Sequence, residues 1–308
     1  MKIKSKLILA ASSLLVLSGV AAGTSTFAWF TANQSSTVDV TSIGVYTNTN
    51  ELSMAVTPQD SGVFTTNSGD TTDYSYAADS AVENSSLTDV SGNGVNLYKG
   101  NIQVEQVGDD EAQHITGSYL VEEKAAPYCF DFDITFSVSN SEEAMAIFLS
   151  SESKILAANS ENAADESLAN SMRVAILNSD ENESLAYYAP NETDASSLSQ
   201  IITDSKASYL TGHGLSSEPP TDSELGLTTN IQNILTGDYD EDYTDGTGSP
   251  TSKAKGYLGQ VSSGEDAEFT VTARIWLEGT DSDCNTTALS GNVSVNLVFN
   301  GVSNIVTA

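Results

Sequence analysis

The sequence predicts an all-β fold: an antiparallel jelly roll or β-sandwich with a few short helices and long loop insertions. Three observations lead there. In "YCFDFDITFSVSNS" the residues Tyr128, Phe130, Phe132, Ile134, Phe136 and Val138 alternate with Cys129, Asp131, Asp133, Thr135 and Ser137, the period of a strand that lays one face on a core. The end of the chain repeats the pattern, with Phe269, Val271, Ala273, Ile275 and Leu277 in "AEFTVTARIWLEG" and Val293, Val295, Leu297 and Phe299 in "GNVSVNLVFNG". Between these runs lie three polar stretches, near 59–93, 179–230 and 237–256, rich in Ser, Thr, Asp, Asn, Gly and Pro, which read as insertions.

Taken in order, the chain opens with Lys2, Lys4 and Lys6, an apolar run from Leu7 to Ala22, and the small residues flanking Phe27 in Thr26-Phe27-Ala28. Residues 1–28 therefore read as a secretory signal peptide cut before Trp29, with the mature chain secreted, extracellular or at the cell surface. An uncleaved anchor is the competing reading, but the run is shorter than the roughly 20 residues of a membrane span and is broken by Ser12, Ser13, Ser18 and Gly19. Residues Trp29 to Ser36 make a weak strand because Asn33 and Gln34 favour loops. Thr37 to Thr47 is a better one. Its inward set shifts from Val38 and Val40 to Ile43 and Val45, which calls for a bulge near Thr41-Ser42.

"GVNLYKGNIQVEQV" suggests a hairpin or strand pair within an insertion, and "AMAIFLSS" a strand. Ala164, Leu168 and Met172 recur every four residues behind an Asn162 cap, the mark of a short helix, and "RVAILN" returns to strand. Trp276 is out of phase with Ile275 and Leu277. Its burial requires a second layer over the far face of its strand.

Composition narrows the chemistry. With 11 Lys and Arg against 42 Asp and Glu the formal net charge is −31, and loss of the leader lysines makes it more negative still. Nucleic acid and anionic lipid repel such a chain. The 39% hydrophobic content suffices for a real core in the 37–308 domain. Two cysteines in an exported chain permit one disulfide, Cys129 to Cys284, the alternative being two buried thiols. For so long a loop the entropy model gives about 5 kcal/mol of stabilisation.

No enzyme is predicted. His114 and His213 sit in polar segments without a partner at ligand spacing, and no HExxH, GxSxG or GxxxxGK[ST] occurs. No cofactor is called for, calcium being the one left open. Asp238, Asp240, Asp242 and Asp245 crowd together in "DYDEDYTDG", but Tyr243 and Ser249 stand where an EF-hand needs Gly and Glu, so a solvated loop is the plainer reading. Glu278, Asp281 and Asp283 in "EGTDSDCN" are a weaker metal candidate and read better as a turn.

A leader ending in Thr-Phe-Ala, then Trp29 and Phe30, then a polar stretch, resembles the signals cut by SipW-type signal peptidases. This start, "YCFDFDITFSVSNS" with "AMAIFLSS", "LANSMRVAIL", and "VTARIWLEGTDSDCN" with "GNVSVNLVFNG" are similar in pattern to the TasA/camelysin family of biofilm-matrix fibre proteins. The resemblance implies a secreted jelly roll that polymerises head to tail by donor-strand complementation. Its partners would be copies of itself, other matrix components and a signal peptidase. Trp29, Phe30, Thr31 and Ala32, in a donor segment from 29 to 36, would then be the assembly residues. The metalloprotease activity described for camelysin does not carry over, since no zinc motif is present. The competing function is a secreted or cell-surface, adhesin-like β-sandwich that binds a ligand through its long loops.

Overall fold

A computed structural model describes residues 35–47, 52–58, 86–106, 113–123, 128–138, 144–189, 191–192, 231, 233–237, 239, 255–264, 267–279, 281, 283–284, 287–288 and 291–303. Its elements in chain order are β1 (Ser35–Thr47), β2 (Leu52–Pro58), β3 (Ser86–Thr88), β4 (Ser91–Gly92), β5 (Leu97–Gln106), β6 (Gln113–Glu122), β7 (Cys129–Val138), β8 (Met145–Leu149), β9 (Lys154–Ala157), α1 (Ala163–Ser171), β10 (Met172–Asn178), β11 (Ser184–Ala189), β12 (Asn233–Thr236), β13 (Tyr257–Val261), β14 (Ala267–Leu277) and β15 (Asn292–Ser303). The described residues are mostly strand, as an all-β protein requires, and α1 is the one helix among them.

Two six-stranded sheets carry the architecture. Sheet one runs β13-β8-β15-β1-β3, with β9 also paired to β15, and sheet two runs β12-β11-β10-β14-β7-β2. The alternating residues read from the sequence meet between them: Phe132, Ile134 and Phe136 of β7 and Val271, Ala273 and Ile275 of β14 share one core with Val293, Val295, Leu297 and Phe299 of β15. Phe136 stands at its centre, its ring 5.3 Å from Phe299 in an edge contact and 6.4 Å from Phe269 in a stacked one. Tyr128 departs from the expected row: it packs with a second cluster on the far face of sheet two, where its hydroxyl accepts a hydrogen bond from Lys99 Nζ at 2.7 Å.

The bulge falls where the sequence requires it. β1 pairs with β15 from Thr37 opposite Asn292 to Thr47 opposite Gly301, and the register slips between Val40 and Ser42, leaving Thr41 over. Val38 and Val40 are thereby in register with Val293 and Val295, and Ile43 and Val45 with Leu297 and Phe299. The extra residue keeps the apolar positions of β1 opposite the apolar positions of β15 in both halves of the strand.

Other expectations need correction. The sheets are not wholly antiparallel, because β1 with β15 and β11 with β12 run parallel. Both pairs join segments far apart in the chain, so no tight hairpin dictates their direction. The insertion placed at 179–230 begins with β11, in which all six residues are buried, and the one placed at 59–93 ends with β3 and β4. The hairpin expected in "GVNLYKGNIQVEQV" extends further than that stretch: β5 pairs with β6 across residues 98 to 122. The helix is as read, with Asn162 Oδ1 accepting from the Ala164 amide at 3.0 Å.

Replacing Phe136 by Ala removes a fully buried ring that touches both sheets and should lower the stability of the protein by about 3–5 kcal/mol in urea unfolding.

Candidate functional site: an open strand edge and a sealed arginine face

Two features stand out above the core, and the first is the edge of sheet one. One side of β1 is occupied by β15 along Thr37 to Thr47, while its other side meets β3 only at Ser35, Ser36 and Thr37. From Val38 to Thr47 that second side has no partner strand among the described residues. Trp29, Phe30, Thr31 and Ala32 lie outside the described residues. Ser35 and Ser36, read from sequence as the end of the donor segment, already belong to β1 and pair with Thr88 and Leu87.

The second feature is the far face of sheet two, where sequence alternation leads to solvent and the structure does not. Cross-strand register sets the residues in rows. Cys129, Trp276 and Arg173 form one, and Asp131, Arg274, Ala175 and Tyr187 form the next. Then come Asp133 and Thr272, joined by a 2.9 Å hydrogen bond from the threonine hydroxyl. Trp276 and Tyr187 are fully buried and meet edge to face at 5.4 Å.

The cover comes from residues 89–98. Val90 bridges to the end of β14, its amide donating to Leu277 O at 3.0 Å and its carbonyl accepting from Gly279 N at 2.8 Å. Asn93 then closes a tight turn by accepting the Asn96 amide at 2.7 Å. At Gly94 the backbone has φ +87°, and a Cβ there would lie 2.3 Å from Ala175 Cβ and 3.5 Å from the Trp276 ring. Glycine supplies both the left-handed conformation and the close approach. Val90, Leu97 and Ile231 complete this second cluster.

Each of two guanidiniums in this face is almost wholly inaccessible. Arg274 Nε donates to Asp131 Oδ1 at 2.9 Å and Nη2 to Asp131 Oδ2 at 2.6 Å, a bidentate pair, while Nη1 donates to Gly94 O at 2.9 Å and Nη2 also to Glu181 at 2.7 Å. Arg173 Nη1 donates to Asn170 O at 2.6 Å and Met172 O at 2.9 Å, and Nη2 to Glu192 at 2.9 Å and to Asp281. Burial disfavours both charges. For Arg274 the hydrogen bond and charge of Asp131 outweigh it, and for Arg173 the charges of Asp281, Tyr187, Glu192 and Glu278 do, so both are held above the ordinary arginine range.

The sequence-nominated residues thus separate. Glu278 and Asp281 come together, as structural partners: Glu278 accepts from Trp276 Nε1 at 3.2 Å, Asp281 from Arg173, and Asp283 from Asn170 Nδ2 at 2.9 Å. Asp238, Asp240, Asp242, Asp245 and His213 lie outside the described residues, and His114 falls on β6. Among the described residues no group of three or more His, Cys, Asp or Glu could hold a metal ion, and no helix is long and apolar enough to cross a membrane.

The disulfide expected between Cys129 and Cys284 is not formed. Both are buried thiols, but Cys129 packs in the cluster under the cover and Cys284 in the core between the sheets. Burial, with Asp89, Asp281 and Glu278 nearby, pushes the Cys284 thiol well above its usual value, which keeps it protonated and unreactive.

Arg173 and Arg274 are the residues that sequence reasoning passed over. An arginine inside "MRVAILN" and another inside "TARIWLEG", in so acidic a chain, are the available signal. A scan against protein-family models finds no match, and searches of the curated proteins and of the solved structures find none either.

Two outcomes follow. Changing Asp131 to Leu removes the bidentate partner of Arg274 and leaves it Glu181 alone among its carboxylates; it should cost about 3 kcal/mol in urea unfolding, while adding Arg274→Met should recover most of it. Denatured without reductant, the protein should take up a thiol reagent at both Cys129 and Cys284; uptake at neither would show that the thiols had become bonded.

Proposed function

We propose that this chain is a secreted structural subunit of an extracellular fibre or biofilm matrix, a jelly roll that polymerises by donor-strand complementation through its N-terminal segment. The observation that carries this reading is the side of β1 from Val38 to Thr47 that no described strand occupies. An edge of this length presents a row of backbone donors and acceptors, and an extended segment from a neighbour satisfies them through main-chain hydrogen bonds. The segment beginning at Trp29 runs directly into β1 of its own subunit, so a contact made by one subunit's segment on the next one's edge repeats without closing and gives a filament. Backbone pairing also suits a chain of net charge −31, because it needs no oppositely charged patch. Trp29 and Phe30 anchor the donor, with Thr31 and Ala32 following.

The test uses the mature chain beginning at Trp29, followed by sedimentation and negative-stain microscopy over a wide range of concentration and down to acid pH. Filaments should form. Trp29→Ala with Phe30→Ala should weaken assembly by orders of magnitude, since each buried ring contributes about 1.5–3 kcal/mol, and leave monomer melting nearly unchanged. A lowered melting temperature would mean that the segment docks within its own subunit. A chain monomeric under all conditions favours the adhesin-like binding protein instead.

A further inference from the structure

We propose that Glu192 carries a proton where it meets Asp281 on the buried Arg173 guanidinium, and that this proton fastens the chain following β11 to the turn following β14. The geometry begins with Arg173. Its Nη1 is spent on two backbone carbonyls, Asn170 O and Met172 O, its Nε meets no acceptor among the described residues, and both carboxylates that approach use Nη2. Glu192 Oε1 takes one contact at 2.9 Å and Asp281 Oδ2 the other, which brings two acids from distant parts of the chain side by side on a single positive charge.

Among the described residues, the groups that act on this pair add no second cation. Around the pair stand Tyr187 of β11, Glu278 at the end of β14, and Asp283 and Cys284 in the turn beyond it; Asp89, between β3 and β4, lies near Cys284. α1 contributes neutral groups, the Asn170 carbonyl and its Nδ2, which donates to Asp283. One buried guanidinium therefore faces more than one carboxylate, and a proton on one of them relieves the excess. Its seat is Glu192. Both oxygens of Asp281 act as acceptors, Oδ2 from Arg173 and Oδ1 from the Asp283 amide at 2.7 Å, and its side chain is 6% exposed. Glu192 accepts through Oε1 and is 30% exposed, enough to exchange a proton with solvent.

The direction of the pH effect follows. Burial raises the Glu192 carboxyl above its ordinary 4.5, Arg173 opposes the rise, and the charge and hydrogen bond of Asp281 add to it. A group whose value is raised in the folded state contributes stability that is fully present below its unfolded value and lost as pH climbs through the folded one. The fastening is tight in acid and slackens above it. What slackens is local: Glu192 N donates to Ala189 O at 3.1 Å, and Asp281 N to Glu278 O at 3.2 Å.

Amide hydrogen exchange on the full mature chain reads this directly. With the intrinsic pH dependence of exchange removed, opening at Glu192 and Asp281 should increase with pH above 4.5 by up to about tenfold per unit, the limit for one proton, while Val174 and Ile176 in β10 stay flat. Glu192→Gln, an uncharged stand-in for the protonated acid, should keep both amides protected at every pH. A flat wild-type profile overturns the proposal, and so does a Glu192→Gln protein that keeps the wild-type slope.

Discussion

The part of sheet two formed by β11, β10, the end of β14 and the start of β7 is buried on both faces, and the pairing of Asp131 with Arg274 is what makes the second burial tolerable. The two residues stand directly opposite on β7 and β14, in positions that alternation assigns to solvent. A carboxylate or a guanidinium covered alone would cost several kcal/mol. Covered together, with two parallel hydrogen bonds, they cancel most of that cost; Nη2 has a further bond to Glu181, and Nη1 points at the cover. Gly94 O takes that donor, so the ion pair both permits the cover and holds it in place. Trp276, Tyr187 and Leu97 are buried as a consequence.

The legible part of the fold is the part governed by period. Phe132, Ile134 and Phe136, or Val293 to Phe299, announce their face by alternation, and even the break at Thr41 is visible because the valines and isoleucine change phase around it. Trp276 could be read as needing a cover, although not which segment supplies it. β11 was illegible for the opposite reason. "SLAYYA" is buried on both faces, so it has no alternation to display, and polar neighbours on each side give it the look of a loop.

Of the candidate site, the sequence exposed the strand β1, but not that its second side has no partner among the described residues from Val38 to Thr47, since strand order is a property of distant pairings. The acidic turn "EGTDSDCN" drew notice as a metal candidate because three carboxylates in six residues suggest a cation. The cation is there as Arg173, more than a hundred residues away in the chain. A charge census shows that so acidic a protein must place its few arginines with care; only the fold shows where.

The position of β15 has a consequence in time. This strand, the last one described, is the spine of sheet one, with β1 along one side and β8 and β9 along the other. A chain that emerges from its N-terminus can form β1 early, yet β1 must wait for nearly the whole sequence before its long partner arrives. β8 and β9 wait as well, and with them half of the central core. Contacts of such large sequence separation make folding slow and late. Until β15 is in place, β1 lacks the strand that runs beside it from Thr37 to Thr47, and sheet one has no spine on which to assemble.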